Sequence, residues 1–353
     1  MGVERIFRPI TVDELRWFPE LDSWPQGEHN PDFLDMFWLD VDLDDGWQLG
    51  IGLYRCRPYD DGNPGVTVNL IRPGERTVEL HERFRPEQFT ADELGGRWGD
   101  TAALALDVVD GVVTAIRLMI ELGELVVTLA VDPVCPGVKF SGASPGFSGY
   151  RKSARLAVGW WPVTPRAVGP AAVTWRGEHR HGTAVVHAER QLSTLPLAGD
   201  AGDASAQSIW FWGHFTAGDY TAIWTDSAAS AAFGNGHFSP FVLYYKDFPV
   251  LSTFAFAAQV EQFVVDPTTG MVRPEVTTLR AWSDDLEFSA RLVDGQVSDQ
   301  FELNGRPGSL YCRQVSTVQG RLAQWGRTRP LTGTAVHEWG SQAGNFPFPR
   351  TAK

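Results

Sequence analysis

Bulky apolar residues recurring at every second position, with tight glycine turns between the runs, constrain this chain more than any other feature. In Trp47-Gln48-Leu49-Gly50-Ile51-Gly52-Leu53 the side chains of Trp47, Leu49, Ile51 and Leu53 share one face, because successive side chains of a strand point to opposite sides. That face is expected to be buried. Residues Leu104 to Val131 read as three antiparallel strands turning at Asp110-Gly111 and at Leu122-Gly123, and Asp-Gly suits a two-residue type I′ turn. A second such pair, Asp294-Gly295, is expected to join a strand Leu286–Val293 to another, Val297–Leu303. Sequential strands with tight turns make a meander, which loses its exposed edges by closing into an antiparallel β-barrel. Barrels of about eight strands can enclose one small apolar ligand. Helical signals are few: Thr11-Val12-Asp13-Glu14 and Thr90-Ala91-Asp92-Glu93 fit a capping box, each opening a short helix that Pro19 and Gly95-Gly96 end. The intervening helices of a parallel α/β fold are missing.

With 353 residues the chain exceeds the usual span of one core, so two domains are expected. The stretch Leu195 to Gln207 has Pro196, Gly199 and Gly202 and no periodicity, and reads as a linker between domains at 1–195 and 196–353. A short internal echo suggests duplication: Arg176-Gly177-Glu178-His179-Arg180-His181-Gly182 near the end of the first part, and Val336-His337-Glu338-Trp339-Gly340 near the end of the second.

A net charge of −13 opposes binding to a phosphate backbone, since nucleic-acid affinity depends on Lys and Arg. No run reaches the roughly 18 apolar residues of a membrane span. Met1 to Pro9 carry charges and no apolar core, so no secretion signal is expected, and Ile6 stands where myristoylation needs Ser or Thr. Cys56, Cys135 and Cys312 lie far apart without a C-x-x-C spacing; small apolar core residues in a reduced, cytoplasmic protein are the expected reading. No Gly-x-Ser-x-Gly elbow, P-loop or Gly-x-Gly-x-x-Gly appears, and Gly234-Asn235-Gly236 reads as a hairpin. Neither a metal nor another cofactor is expected.

The aromatic content, 14 Trp, 21 Phe and 7 Tyr, requires either large cores or aromatic-lined cavities. From Ser208 to Phe215, Ser208, Trp210, Trp212 and His214 take one face and Ile209, Phe211 and Phe215 the other. Ala217-Gly218 then turns into a strand with Tyr220, Ala222, Trp224 and Asp226 on one side. A hairpin apolar on both faces belongs between two layers. Trp210, Trp212 and Trp224 offer flat walls for an unsaturated substrate and His214 or Asp226 polarity, or all of them are plain core. In the first part Trp38, Trp47, Tyr54 and Trp98 present the same choice. Glu178 and Arg180 share a face and His179 and His181 the other. They read as a solvent-facing ion pair with two packed or hydrogen-bonded His, as a proton or hydrogen-bond donor at a cavity, or as an incomplete metal site.

The run Gly149-Tyr150-Arg151-Lys152-Ser153-Ala154-Arg155-Leu156, then Gly177–Gly182, then Ile209-Trp210-Phe211-Trp212-Gly213 and finally Glu338-Trp339-Gly340 resemble, in this order, the motifs of the two-domain lipocalin-like family. That family includes carotenoid 1,2-hydratase and the lipocalin-like Diels-Alderases. The resemblance implies an all-β fold of two tandem lipocalin-like antiparallel barrels. It spans about Gly149 to Gly340; the first 140 residues agree in length and strand content alone. At the acid-His strand this sequence departs, with Glu178 for Asp and His181 for Trp, and the hydratase chemistry rests on that Asp. Three functions are therefore expected in turn. The first is a cofactor-free cyclase of Diels-Alder type acting on an apolar polyene or polyketide, with Glu178, His214 and Asp226 as catalytic residues and Trp38, Trp47, Tyr54, Trp98, His179, Trp210, Trp212, Trp224 and Trp339 binding substrate. The second is a hydratase or isomerase in which Glu178 protonates an alkene. The third is a carrier of an apolar small molecule.

Overall fold

The computed structural model describes residues 7–17, 34–57, 60–91, 94–140, 158–193, 207–229, 237–267, 270–302 and 309–341. The Gly149–Leu156 run, residues 195–206 of the expected linker, Pro19, Asp92, Glu93 and Gly234-Asn235-Gly236 lie outside them. Among the described residues helix amounts to one turn, Val12–Leu15, directly after Thr11, a 3-10 turn, Pro86–Gln88, and the single 3-10 residue Asp60.

The strands of the first part are β1 (Phe7–Pro9), β2 (Leu34–Leu43), β3 (Gln48–Arg57), β4 (Asn63–Ile71), β5 (Val78–Arg83), β6 (Phe89–Ala91), β7 (Gly96–Trp98), β8 (Ala102–Val109), β9 (Val112–Leu122), β10 (Leu125–Pro133), β11 (Val138–Phe140), β12 (Val158–Trp175) and β13 (Glu178–Ser193). They form a sheet in the order β5-β4-β3-β2-β13-β12-β10-β9-β8-β7-β6, with β1 paired to β11 apart. The second part holds β14 (Gln207–Ala217), β15 (Tyr220–Ala229), β16 (His237–Phe238), β17 (Phe241–Tyr245), β18 (Phe248–Thr253), β19 (Phe256–Val265), β20 (Val272–Trp282), β21 (Leu286–Phe301), β22 (Leu310–Gln324) and β23 (Arg327–Ser341). Its order is β18-β17-β15-β14-β23-β22-β21-β20-β19, with β16 on β15. Each sheet is antiparallel and curled into a half-barrel, the architecture of tandem lipocalin-like barrels. Two compact units result, one made of the described residues up to Phe140, 158–193 and Tyr244–Val250, the other of the described residues from Gln207 to Leu243 and from Leu251 to Ser341.

The alternation expected of Trp47, Leu49, Ile51 and Leu53 is observed: all four are buried in the core of the first unit. Asp110 and Gly111 both have positive φ, 52° and 78°, as a type I′ turn demands. The next turn sits one residue later than expected, because Leu122 pairs with Leu125 and leaves Gly123-Glu124 as the loop. Two expectations are overturned. Thr90 and Ala91 belong to β6, not to a helix; they pair with Arg97 and Gly96 of β7, and the ladder takes the backbone groups that a helical turn would have used. Asp294-Gly295 is not a hairpin. It lies inside β21, which stays paired with β22 while Val293 faces Thr317 and Gln296 faces Val315. The positive φ of Asp294, 55°, serves a β-bulge as well as a turn.

The duplication is real in the strand order but shifted from the sequence echo. Arg176-Gly177 and Trp325-Gly326 both turn with positive φ before the last strand of each sheet. Glu189 and Glu338 each stand twelve residues past the turn glycine. Glu189 lies opposite Trp38 of β2, and Glu338 opposite Trp212 of β14. The counterpart of Glu338 is therefore Glu189, not Glu178.

On the concave side of the first unit the buried Arg190 guanidinium lies 4.8 Å from the Trp17 ring and 5.2 Å from Phe37, and pairs with buried Asp35. Its Nη1 also donates to the carbonyls of Met36 (3.2 Å) and Gln191 (2.6 Å). Removing one member of a buried pair leaves the other charge uncompensated. Asp35→Ala is expected to cost about 3–5 kcal/mol, while Asp35→Leu with Arg190→Met should recover most of that loss in urea unfolding.

Candidate functional site

Residues directly opposite on neighbouring strands point to the same side of a sheet, so register assigns faces in the second unit. Trp212 stands opposite Glu338, and Glu338 opposite Arg313; with Trp210, His214 and Tyr311 they share the convex face. Gly213 stands opposite His337 and Trp224; these, with Phe211, Asp226 and Trp339, share the concave face. Contacts across the curl identify the concave side: the Trp224 ring is 6.4 Å from Phe256, Phe263 is 5.4 Å from Trp339, and Asp226 Oδ2 accepts from the Ala258 amide at 3.1 Å.

On the convex face the Tyr311 hydroxyl donates to Glu338 Oε1 at 2.7 Å, and Arg313 Nη1 donates to the same oxygen. The Arg313 guanidinium also sits 5.1 Å from the Trp212 ring, a cation–π geometry strengthened by burial. His214 meets Trp212 edge to face at 5.6 Å. Trp210 packs over Gly340, where any Cβ would collide with the indole, and is 6.5 Å from the Tyr311 ring. Burial, then the charge of Glu338, holds the Tyr311 phenol well above its usual range. The cluster thus combines a neutral phenol, a fixed cation and a carboxylate that acts as acceptor, beside two indole walls. Donors and a fixed charge of this kind can polarise or orient a bound group.

The sequence-expected residues divide. Trp210, Trp212 and His214 come together here, whereas Trp224 does not join them, since the neighbour of Trp212 on β15 is Thr225. Trp224 and Trp339 are buried on the concave face. Asp226 there accepts from Ser239 Oγ (2.6 Å) and pairs with His237 Nε2 (2.6 Å). In the first unit Trp98 is core, donating to the Tyr54 carbonyl at 2.6 Å. Trp38 donates to Asp40 Oδ1 at 3.0 Å, and the Tyr54 ring lies 5.3 Å from Arg57. Glu178 has a side chain 42% exposed and is ion-paired to Arg180 and, at 3.8 Å, to Arg72. With Trp47, Asp45, Pro73 and Glu75 these three line a polar surface cavity of about 410 Å³. His179 is exposed and hydrogen-bonded to Thr174 Oγ1 at 2.8 Å. Among the described residues no three His, Cys, Asp or Glu side chains converge as a metal-ligand set. Burial pushes the thiols of Cys56 and Cys312 up to about 12, which suits core residues and not nucleophiles.

Tyr311, Arg313 and the pairing role of Glu338 were not singled out from sequence. Only the run Val336–Gly340 carried a signal; Tyr311 and Arg313 enter through register alone.

His337, on the concave face, is buried and pushed down to about 3 by desolvation and by the charge of Arg313. A depressed folded-state value contributes stability that is present above the unfolded value of roughly 6.5 and lost as pH falls toward 3. The stability gap between the natural chain and His337→Gln, measured by urea unfolding, should therefore narrow from pH 7 to pH 4.

No family model matches the sequence, and no curated protein sequence does. Among solved structures the chain is similar to CghA with Sch210972, at a TM-score of 0.65 and 13% identity over 89% of each chain. An AttH-like protein from Nitrosomonas europaea gives 0.58 at 16% identity, over 90% of this chain and 96% of that one. Kievitone hydratase from Nectria haematococca gives 0.52 at 10% identity, over 95% and 96%. At these identities the likeness is one of fold, and the fold is the two-domain lipocalin-like architecture implied by the sequence motifs.

Proposed function

We propose that this protein is a cofactor-free cyclase that holds a linear polyene or polyketide in the conformer for a Diels-Alder type cycloaddition, within cytoplasmic natural-product biosynthesis. The observation that carries this reading is the convex-face cluster, in which the charge of Arg313 is fixed by Glu338 and covered by the Trp212 ring. Cycloaddition needs little covalent help. Holding diene and dienophile in a near-attack geometry removes entropy from the barrier, with effective molarities on the order of 10⁵ M or more, and a fixed cation near a conjugated carbonyl stabilises the polarised transition state. CghA, a lipocalin-like Diels-Alderase, shares the fold.

Kievitone hydratase shares it too, so hydration is the rival. Hydration through Glu178 requires a carboxylic acid with a proton to give, and Glu178 instead accepts from Arg180 and lies near Arg72. Turnover separates the two. Under the cyclase reading Trp212→Ala loosens the bound conformer and lowers the rate by about 10², and Glu178→Gln costs little. Alkene protonation by Glu178 reverses the order, with a loss of roughly 10² to 10⁴ for Glu178→Gln. In D₂O the cycloaddition product keeps the mass of its substrate after back-exchange; carbon-bound deuterium or a water adduct overturns the proposal.

A further inference from the structure

Among the described residues the non-glycine residues with a left-handed backbone are Asp61, Asp110, Arg176, Lys246, Asp294 and Trp325. All but the last are polar, as the turns that need this conformation favour. Trp325 and Gly326 form the two-residue turn between β22 and β23, at φ of 48° and 75°. A bulky side chain there is an outlier that costs free energy. The Trp325 side chain is nevertheless left 79% exposed. The core makes no use of this indole, and Asn would suit the turn better.

A second exposed indole stands beside it. Trp282, 48% exposed, lies opposite Glu287 of β21, and Glu287 lies opposite Ala323 of β22, two residues before Trp325. Both therefore belong to one end of the second sheet, on strands about 10 Å apart. The Trp282 amide donates to the Ala255 carbonyl at 3.1 Å, which brings Phe254, 38% exposed, to the same end. Charge is also segregated here. From Leu303 to His337 the chain has five Arg and no acid, in a protein of net charge −13. Arg321, Arg327 and Arg329 flank the turn. Arg321 is 3.8 Å from Glu287, Arg329 donates to the Tyr220 hydroxyl at 2.8 Å, and Arg327 is exposed. Asp219, Asp284 and Asp285 sit on the neighbouring β14–β15 and β20–β21 turns, so the basic side of this end is the β22–β23 hairpin itself.

We infer that this end of the second unit, tipped by Trp325 and flanked by Trp282, docks on the headgroup layer of a lipid membrane. An indole has an apolar ring and a polar N–H, and such groups concentrate where hydrocarbon meets water. Beside them the guanidiniums of Arg321 and Arg327 meet lipid phosphates, which zwitterionic and acidic lipids both carry. Acidic charge more than about 8–10 Å from the tip is screened at physiological salt. A protein interface seats its aromatic anchors at the centre of a packed patch; a ring at the tip of a hairpin suits a fluid layer that closes around it. The surface does not depend on the cyclase reading.

Flotation of the full chain with phosphatidylcholine vesicles, with and without phosphatidylglycerol, tests this. The natural chain should float with both, and more tightly with the acidic lipid. Trp325→Asn should weaken binding about tenfold by removing the ring that leaves water, while its melting temperature holds or rises because Asn suits the left-handed turn. Arg327→Gln should weaken binding to the acidic vesicles about fivefold. Failure of the natural chain to float with either vesicle overturns the docking, as does equal binding by Trp325→Asn. Dimers that Trp325→Asn abolishes, seen by ultracentrifugation without any vesicle binding, would assign the surface to a second copy of the chain and overturn it too. Should a variant fold poorly, the natural chain decides alone: phosphatidylcholine brominated on its acyl chains should quench part of the tryptophan fluorescence, and no quenching overturns the docking. Turnover is not read in any arm, so this outcome and that of the cyclase test are separable.

Discussion

Register along β14, β23 and β22 holds the chemistry of the second unit in place. Because side chains alternate with a period of two, a slip of one residue on β23 would turn Glu338 inward and bring His337 and Trp339 out. Arg313 would lose its carboxylate and Trp212 would face a histidine. What prevents the slip is that both faces are buried. Phe211, Phe215, Trp224 and Trp339 fill the concave side, while Trp212 and His214 are buried on the convex side. A strand apolar on one face tolerates slippage at the cost of that face; a strand apolar on both would lose two sets of contacts at once.

That two-faced burial was legible in the sequence from Ser208 to Phe215, where the alternation separates Trp210, Trp212 and His214 from Phe211 and Phe215. The grouping of Trp224 with Trp210 and Trp212 was not legible, because the relative phase of two strands depends on the turn between them. Here Ala217 pairs with Tyr220 across Gly218-Asp219, and that pairing puts Thr225, not Trp224, beside Trp212. Tyr311 and Arg313 were invisible for the same reason. They lie 25 or more residues from Glu338 along the chain, and nothing local announces the register that brings them to it.

Turn chemistry shows how far local signals reach. Asp110-Gly111 and Asp294-Gly295 are the same dipeptide, and in both the Asp adopts positive φ. The first closes a hairpin and the second bends a continuous strand, since the left-handed conformation is needed by both. The difference lies in the partner: β22 continues past the bulge from Val315 to Thr317, offering one residue against two. Similarly, the repeated acid-His-Gly pattern pointed to duplication through Glu178, while the strand order pairs Glu338 with Glu189. Glu189 is buried and bonded to Trp160 Nε1 at 2.6 Å and His187 at 3.3 Å, an acceptor role like that of Glu338.

The glycines complete the physical account of the aromatic residues. Sequence reading treats glycine mainly as a turn former, yet Gly50, Gly52, Gly213 and Gly340 lie within strands, and the Cβ each lacks would collide with or crowd the ring of Trp38, Tyr54, Trp224 or Trp210 respectively. Glycine inside a strand weakens it but permits close approach. In each case an aromatic ring occupies the space along the sheet that a side chain would have taken. A ring seated in this way presents a broad face at low conformational entropy, since it has only two side-chain torsions and the backbone beneath limits both. Walls of this kind suit a site that must restrict the shape of a flexible apolar molecule, because the wall itself loses little freedom when the molecule is bound. On the concave face Trp224 is seated over Gly213, and its indole nitrogen is buried without a hydrogen-bond partner among the described residues.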